Sequence, residues 1–503
     1  MDLSLWIERH ADFQPKQPAL LFEGATISYA EFDRRIVRLA RMLKHELGVG
    51  SGDRVAHLGY NSPEILDLLF ACARLGAMLV PLNWRLAAPE HLYILQNAAV
   101  SVVFAEPDFQ AHVDGIRAQV KDCKFVGYDK AGAGWLDYDA LLEAAEGDDR
   151  NPHVSYDSPL LIVYTSGTTG RPKGAVLTQN ALLWNAINGT HAQDITRHDR
   201  VLTFLPMFHV GGMNIQTTPA LHAGATVMIQ RRFDPGAALE AIRSFRPTLL
   251  LQVPAALSAM MQHPEWPATD TSCIRLAMTG STIVPLPLIR ALLERGIPCG
   301  QVYGSTETAP SCIYLRGDDG ARKIGSCGKP GLHCEIRLVD DDGRDLGPNQ
   351  PGEILVRGPN VMFEYWGDAE ATAEALKDGW FHTGDIGYRD DEGFYYVNER
   401  KKDMIISGSE NIYPAELEAV LAECTEIQEA AVVARPDAKW GEVAVAVVVR
   451  KAASRIGPEE VLALFRGRIA RYKHPHDVIF VETLPRNVMG KVLKYQLREM
   501  LRR

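Results

Sequence analysis

Short apolar runs alternate along most of the chain with stretches in which apolar residues recur every three or four positions. The first pattern suits buried strands and the second suits amphipathic helices. Ser28-Tyr29-Ala30-Glu31 has the spacing of a helix-capping box, and Phe32, Ile36, Leu39, Ala40 and Leu43 then fall on one helical face. Residues 54–58 read as a strand, and Ser62-Pro63 opens a second helix that ends near Gly76. Residues 78–82 and 100–105 read as further strands. Between Asn185 and Gln301 the rhythm repeats, with strands at 201–205, 248–252, 276–278 and 300–303 and a helix at 235–244. Strands alternating with helices predict a mostly parallel sheet covered on both faces.

From about Ile324 the texture changes to closely spaced strands and acidic turns such as Asp340-Asp341-Asp342-Gly343, which predicts a β-rich subdomain. The charged run Glu399-Arg400-Lys401-Lys402-Asp403 is a linker candidate. After it comes a compact pattern: a helix at 414–424, strands at 430–434 and 442–450, a helix at 458–471, a strand at 478–481 and a helix at 491–501. The expected fold class is α/β. A large N-terminal domain (1–399) holds two αβ-layered subdomains and the β-rich one, and a small α+β domain (400–503) follows.

Length and composition narrow the field. A chain of 503 residues, 46% hydrophobic and 23% charged, is a globular protein of several domains, neither disordered nor fibrous. A formal net charge of −10 argues against general nucleic-acid binding. The eight cysteines form no C-x-x-C pair and signal neither zinc nor a disulfide framework. The first residues carry charge too early for a signal peptide, and the apolar stretch at 65–80 is interrupted by Asp67 and Arg74. A cytoplasmic protein without an integral membrane segment is expected, with a homo-oligomer one possible assembly.

The densest chemistry lies in Tyr164-Thr165-Ser166-Gly167-Thr168-Thr169-Gly170-Arg171-Pro172-Lys173-Gly174, which follows the apolar run 160–163. Three glycines, four Ser/Thr hydroxyls and a lysine in one short loop suit a phosphate cradle. The Walker pattern fails, because Pro172 precedes the lysine and a short strand, 175–177, follows it. The loop therefore joins two strands, and a helix becomes plausible only after Thr178 as its N-cap.

Four further stretches stand out. Pro206-Met207-Phe208-His209-Val210-Gly211-Gly212 follows a strand end, where open α/β sheets bind ligands. Tyr303-Gly304-Ser305-Thr306-Glu307-Thr308 offers an aromatic face, hydroxyls and one carboxylate. A carboxylate beside a phosphate cradle points to an intervening Mg²⁺, which makes Glu307 a metal-ligand candidate. In Phe381-His382-Thr383-Gly384-Asp385 the aspartate is placed to cap a turn or to accept ribose hydroxyls. Finally, Gly490-Lys491 sets a lysine at the expected start of a helix, where the dipole disfavours a cation.

Together these stretches resemble the acyl-adenylate-forming enzymes, and among them bacterial fatty-acyl-CoA and feruloyl-CoA synthetases. The resemblance spans essentially the whole chain and includes Arg400 to Asn411. It implies that Thr165, Ser166, Gly167, Thr168, Thr169, Gly170 and Lys173 cradle the ATP β- and γ-phosphates. Thr306 would touch the α-phosphate and Glu307 would hold Mg²⁺. Tyr303 and Gly304, with Gly280 and Ser281, would contact adenine, although Thr279-Gly280-Ser281 departs from the common Gly-Gly-Ala. Asp385 and Arg400 would hold the ribose, His209 would sit at the rim of the acyl pocket, and Lys491 would bridge the acid carboxylate and the α-phosphate.

The implied reaction has two steps, adenylation and then transfer to a thiol. A mobile C-terminal domain would swing about Lys402 to bring Gly408 and its neighbours to a pantetheine channel, where Ser409 stands in place of a common glycine. By analogy the acyl pocket is lined around Met213-Asn214, Gln252-Val253-Pro254, Met278-Thr279 and Gln301-Val302. None of these is Arg or Lys, so an apolar monocarboxylic acid is expected, fatty or aryl/cinnamic, with CoA as acceptor. The alternatives are an adenylation enzyme loading a separate carrier protein and a nucleotide-binding module without chemistry.

Overall fold

The computed structural model describes the chain except residues 130, 166–171, 281–283, 401–402, 408–409, 438–439, 467, 470, 487–490 and 502–503, and the side chains at 398–400, 406, 410–411 and 472. The described strands form four sheets. At the centre of the nine-stranded sheet, Cys299–Tyr303, Leu276–Gly280, Leu249–Gln252, Arg200–Thr203, Thr226–Ile229 and Pro18–Phe22 run parallel in that order. The eight-stranded sheet places Pro159–Thr165 beside Met78–Pro81, Arg54–Leu58 and Val102–Ala105, again in parallel. These strands are largely apolar on both faces because both faces are covered.

Local signals explain how the helices begin and end. Ser28 Oγ accepts a hydrogen bond from the Glu31 amide (3.2 Å) at the head of helix Tyr29–Arg41, whose Phe32, Ile36, Leu39 and Ala40 are buried. Helix Pro63–Leu75 ends at Gly76, which takes the left-handed conformation (φ 74°) that glycine adopts without steric cost. The charges that interrupt its apolar run are paired. Asp67 accepts from Arg35 at 2.5 Å, while Arg74 is held by Asp33 (2.6 Å) and Asp149. Burial still pushes the Asp67 carboxyl up to about 6, against the pull of Arg35.

The expected β-rich region is an antiparallel sheet in which Trp380–Arg389 pairs with Gly352–Arg357 and Tyr395–Arg400. Its last strand runs into the charged stretch read as a linker, with Arg400 opposite Asp385. The C-terminal sheet pairs Ile427–Asp437 with Gly441–Arg450 and has its own core, including Ile405, Leu417, Val432, Ala446 and Phe465.

Two helices differ from expectation. The helix opening at Pro458 ends at Ala463. The last helix is Lys494–Leu501, because Val492 bridges Arg486 and the Leu493 amide donates to the Pro485 carbonyl (2.8 Å), which keeps 491–493 out of the helix. Lys491 therefore precedes the helix, and the dipole conflict inferred for it disappears. The eight cysteines are all free, and no described helix is long and apolar enough to cross a membrane.

Candidate active site

The phosphate-cradle segment is a hairpin. Pro159–Thr165 and Lys173–Thr178 pair antiparallel with Thr165 opposite Lys173, and Thr178 Oγ1 accepts from the Ala181 amide (3.1 Å) to start helix Gln179–Gln193. The strand–loop–strand–helix order follows the sequence expectation. The tip residues Ser166, Gly167, Thr168, Thr169 and Gly170 lie outside the described residues, as do Ser281, Lys402 and Gly408.

Glu307 lies in the short turn Thr306–Thr308 beyond strand Cys299–Tyr303. Its backbone carbonyl accepts from the Met362 amide (2.7 Å), and its Oε1 accepts from the Tyr365 hydroxyl (2.7 Å). Tyr365 in turn pairs with Ala175 in the hairpin, and the Lys173 ammonium sits 5.3 Å from the centre of its ring. A single aromatic side chain thus ties the candidate metal ligand to the candidate phosphate lysine. Sequence reasoning missed Tyr365. Its only local signal is the run Phe363-Glu364-Tyr365-Trp366, which has no chemistry-bearing pattern until the strand pairing is known.

Glu307 is one carboxylate with an oxygen already engaged, and the described residues contain no cluster of three or more metal-ligating side chains. That donor set suits Mg²⁺, which keeps water and phosphate oxygens as most of its ligands and needs only one or two carboxylates.

Tyr303 and Asp385 join the nine-stranded sheet to the β-rich one through a hydrogen bond from the Tyr303 hydroxyl to Asp385 Oδ2 (2.8 Å). The Asp385 amide donates to Thr383 Oγ1 (3.0 Å), and the backbone of Arg400 lies opposite Asp385 in register. Burial, with the Asp385 charge beside it, raises the Tyr303 phenol well above its ordinary value, so it stays a donor. Gly304 and Gly280 are required by close approach. A Cβ on Gly304 would meet the Pro310 carbonyl oxygen at 1.5 Å, and one on Gly280 would meet that of Val302 at 2.5 Å. Thr306 is buried at the head of the turn.

His209 caps the short helix Val210–Gly212, its Nδ1 accepting from the Gly211 amide (3.0 Å). Burial holds its pKa down to about 4 against the opposing Glu307 carboxylate, so the ring is neutral at physiological pH. With Nδ1 accepting, the proton sits on Nε2. The ring is thus a donor rather than a cation beside the site.

The residues expected to line the acyl pocket divide between two faces of the sheet. Met278 is opposite Gly300, and Gly280 is opposite Val302, which sets Met278 and Val302 on one face. Helix Val210–Gly212 and the turn Met213–Thr217 pack on that side, where Thr203 and Thr217 share a hydrogen bond (2.8 Å) and Thr203, Gly212, Thr217 and Leu251 border one small cavity. Gln252, Thr279 and Gln301 share the other face with Tyr303. Lys491 is exposed in the C-terminal unit.

Three sheets meeting at the carboxyl ends of parallel strands, with a glycine-rich hairpin, a lone acidic turn and a tyrosine–aspartate pair, define a nucleotide-handling α/β enzyme with an appended α+β unit. Residues 7–366 match the AMP-binding enzyme family and residues 416–491 its C-terminal domain, and the chain belongs to that family. It is 52% identical over 504 residues to the indoleacetate–CoA ligase of Aromatoleum aromaticum, covering 100% of this chain and 99% of the relative. It is 42% identical over 496 residues to a feruloyl-CoA synthase of Amycolatopsis, covering 99% and 98%. The O-succinylbenzoate coenzyme A synthetase of Bacillus subtilis, solved with ATP and a magnesium ion, superposes with a TM-score of 0.87 at 32% identity over 98% of each chain.

Proposed function

We propose that this chain is an AMP-forming acid–CoA ligase that activates an aryl-bearing monocarboxylic acid with ATP and passes the acyl group to CoA. The observation that carries this reading is likeness along the full length, at 52% and 42% identity, to two ligases named for such acids. In the first step the acid's carboxylate oxygen bonds to the α-phosphorus while the bond to pyrophosphate breaks. In the second the CoA sulfur bonds to the acyl carbon, AMP leaves, and the thiol proton is lost to solvent.

The chain's own groups fit the first step. Lys173 and the hairpin hold the pyrophosphate that departs, while Thr306 donates to the α-phosphate. Tyr303 stacks on the base, and Asp385 with Arg400 takes the ribose hydroxyls. Bound at Glu307, Mg²⁺ would neutralise phosphate charge. A neutral His209 donates from Nε2 toward the reacting carboxylate without adding a cation that would pair with it. Lys491 brings the cation that lowers repulsion between the carboxylate and the α-phosphate. The unit 400–503 then turns about Lys402, withdrawing Lys491 and presenting the Gly408 loop to the pantetheine arm.

A panel of aryl-acetic, cinnamic and fatty acids, scored by CoA-dependent AMP release and by acid-dependent pyrophosphate–ATP exchange, tests this. Exchange without CoA-dependent AMP release would instead favour a carrier-protein acceptor. No exchange with any acid would leave only a nucleotide-binding module.

A further inference from the structure

Gln252, Thr279 and Gln301 stand side by side on three adjacent parallel strands, Gln252 as the last residue of its strand, opposite Thr279, and Thr279 opposite Gln301. Directly opposed residues share a face, so the three make one polar row on one face of the sheet. Gln252 and Thr279 are fully buried. Among the described residues neither amide atom of Gln252 has a hydrogen-bond partner, and neither does Thr279 Oγ1. Most buried polar groups are satisfied by protein or ordered water, and two neighbouring side chains without protein partners among the described residues, at a ligand-binding strand end, point to a polar guest.

The strand order says which guest. On one side of the Gln252 strand lies Leu276–Gly280, and beyond it Cys299–Tyr303, whose Tyr303 reaches Asp385 on the nucleotide side. On the other side lies Arg200–Thr203, whose carboxyl end runs on through Pro206 to His209. Gln252 is two strands, about 10 Å, from the strand of Tyr303, too far to share a base stacked on that ring. It faces the acid's share of the site.

The chemistry of the row is equally selective. An amide offers one donor face and one acceptor, a hydroxyl offers both, and the row itself carries no charge. A second carboxylate or an ammonium on the acid would be buried there without a counter-ion, so the guest is neutral.

We propose that Gln252 and Thr279 read a neutral hydrogen-bonding group, a ring N–H or a hydroxyl, on the body of the acid, and so select heteroaryl or hydroxyaryl acids over unsubstituted aryl and fatty acids. This rests on the acid–CoA ligase reading and adds the substrate class. A site built to bond a polar substituent rejects the analogue that lacks it, because the protein groups are then left buried and unpaired.

The test uses the full-length protein and two matched pairs: indole-3-acetate with 1-benzothiophene-3-acetate, and 4-hydroxycinnamate with cinnamate. The wild type should prefer the polar member of at least one pair by about 10-fold or more in kcat/KM for pyrophosphate exchange. Gln252→Leu should bring that preference to within about 3-fold, lowering the polar acid and raising its isostere, with KM for ATP unchanged. Thr279→Val should move it in the same direction by less. Gln252→Met serves if the leucine variant does not fold, and the wild-type ratios need no variant at all.

Discrimination of neither pair by an enzyme that turns over both members would overturn the proposal while leaving the ligase reading intact. So would a preference that survives both substitutions, or one that survives while KM for ATP rises, which would assign the row to the base. Absence of exchange with every acid would overturn the ligase reading itself, and the proposal with it.

Discussion

The proposed nucleotide end and the proposed acid end of the site are built in opposite ways. At the nucleotide end the candidate groups already engage one another: Tyr303 bonds Asp385, Tyr365 bonds Glu307, and Lys173 lies over the Tyr365 ring. Each link joins separate segments of the chain, so the geometry is held before any ligand arrives. At the proposed acid end the side chains of Gln252 and Thr279 are buried with no hydrogen-bond partner among the described residues. The difference fits a division of labour. The part of the reaction common to every acid is preorganised, and the part that differs between acids is left for the ligand to complete.

The contrast can be broken most severely by removing the cation that the C-terminal unit is expected to bring to the reacting carboxylate. Lys491→Ala should lower adenylate formation by about 10²–10³-fold, the scale for losing a group that stabilises transition-state charge. Thiolysis of a supplied acyl-adenylate should be nearly unchanged. Equal loss in both half-reactions would contradict a moving Lys491.

Glu307→Gln keeps the shape of the turn and its bond to Tyr365 while removing the charge. It should slow exchange by about 10²-fold and raise the Mg²⁺ concentration needed for half-maximal rate. A slower enzyme with unaltered Mg²⁺ dependence would take the metal away from Glu307.

Tyr365→Phe is a gentler probe of the same corner. It deletes the hydroxyl that steadies Glu307 but keeps the ring under Lys173, so a loss of about 10-fold is expected, matching one hydrogen bond to a charged acceptor. An unchanged rate and Mg²⁺ dependence would show that the link is incidental.

The smallest effect concerns pH. With its pKa held down to about 4, His209 stays neutral until the pH falls well below its ordinary range near 6.5. His209→Asn should therefore reduce exchange by the same factor at every pH between about 5.5 and 8. A ratio that changes through pH 6.5 would mean that the imidazolium takes part.

Much of this was legible in the residues themselves. The hairpin could be read because a β-branched run meets a glycine- and hydroxyl-rich loop and Thr178 then supplies a cap. The helix at Pro63 could be read because proline and glycine mark its two ends. Tyr365 could not, since its pairing with Ala175 joins residues 190 positions apart and no local rule reports such a contact. The division of the acyl-pocket residues between two faces also depended on pairing, because alternation tells which residues share a face only once the strand register is known. Lys491 shows the reverse error. Its supposed place at a helix N-terminus came from periodicity, and the bridge between Arg486 and Val492 moves the helix start to Lys494.

The central claim, that the chain couples adenylation of an aryl-bearing acid to CoA, is tested most directly by AMP release from indole-3-acetate with ATP and Mg²⁺, with and without CoA. The account predicts steady AMP release that requires both acid and CoA, alongside pyrophosphate exchange that requires the acid alone. Exchange with AMP release indifferent to CoA across the acid panel would contradict it.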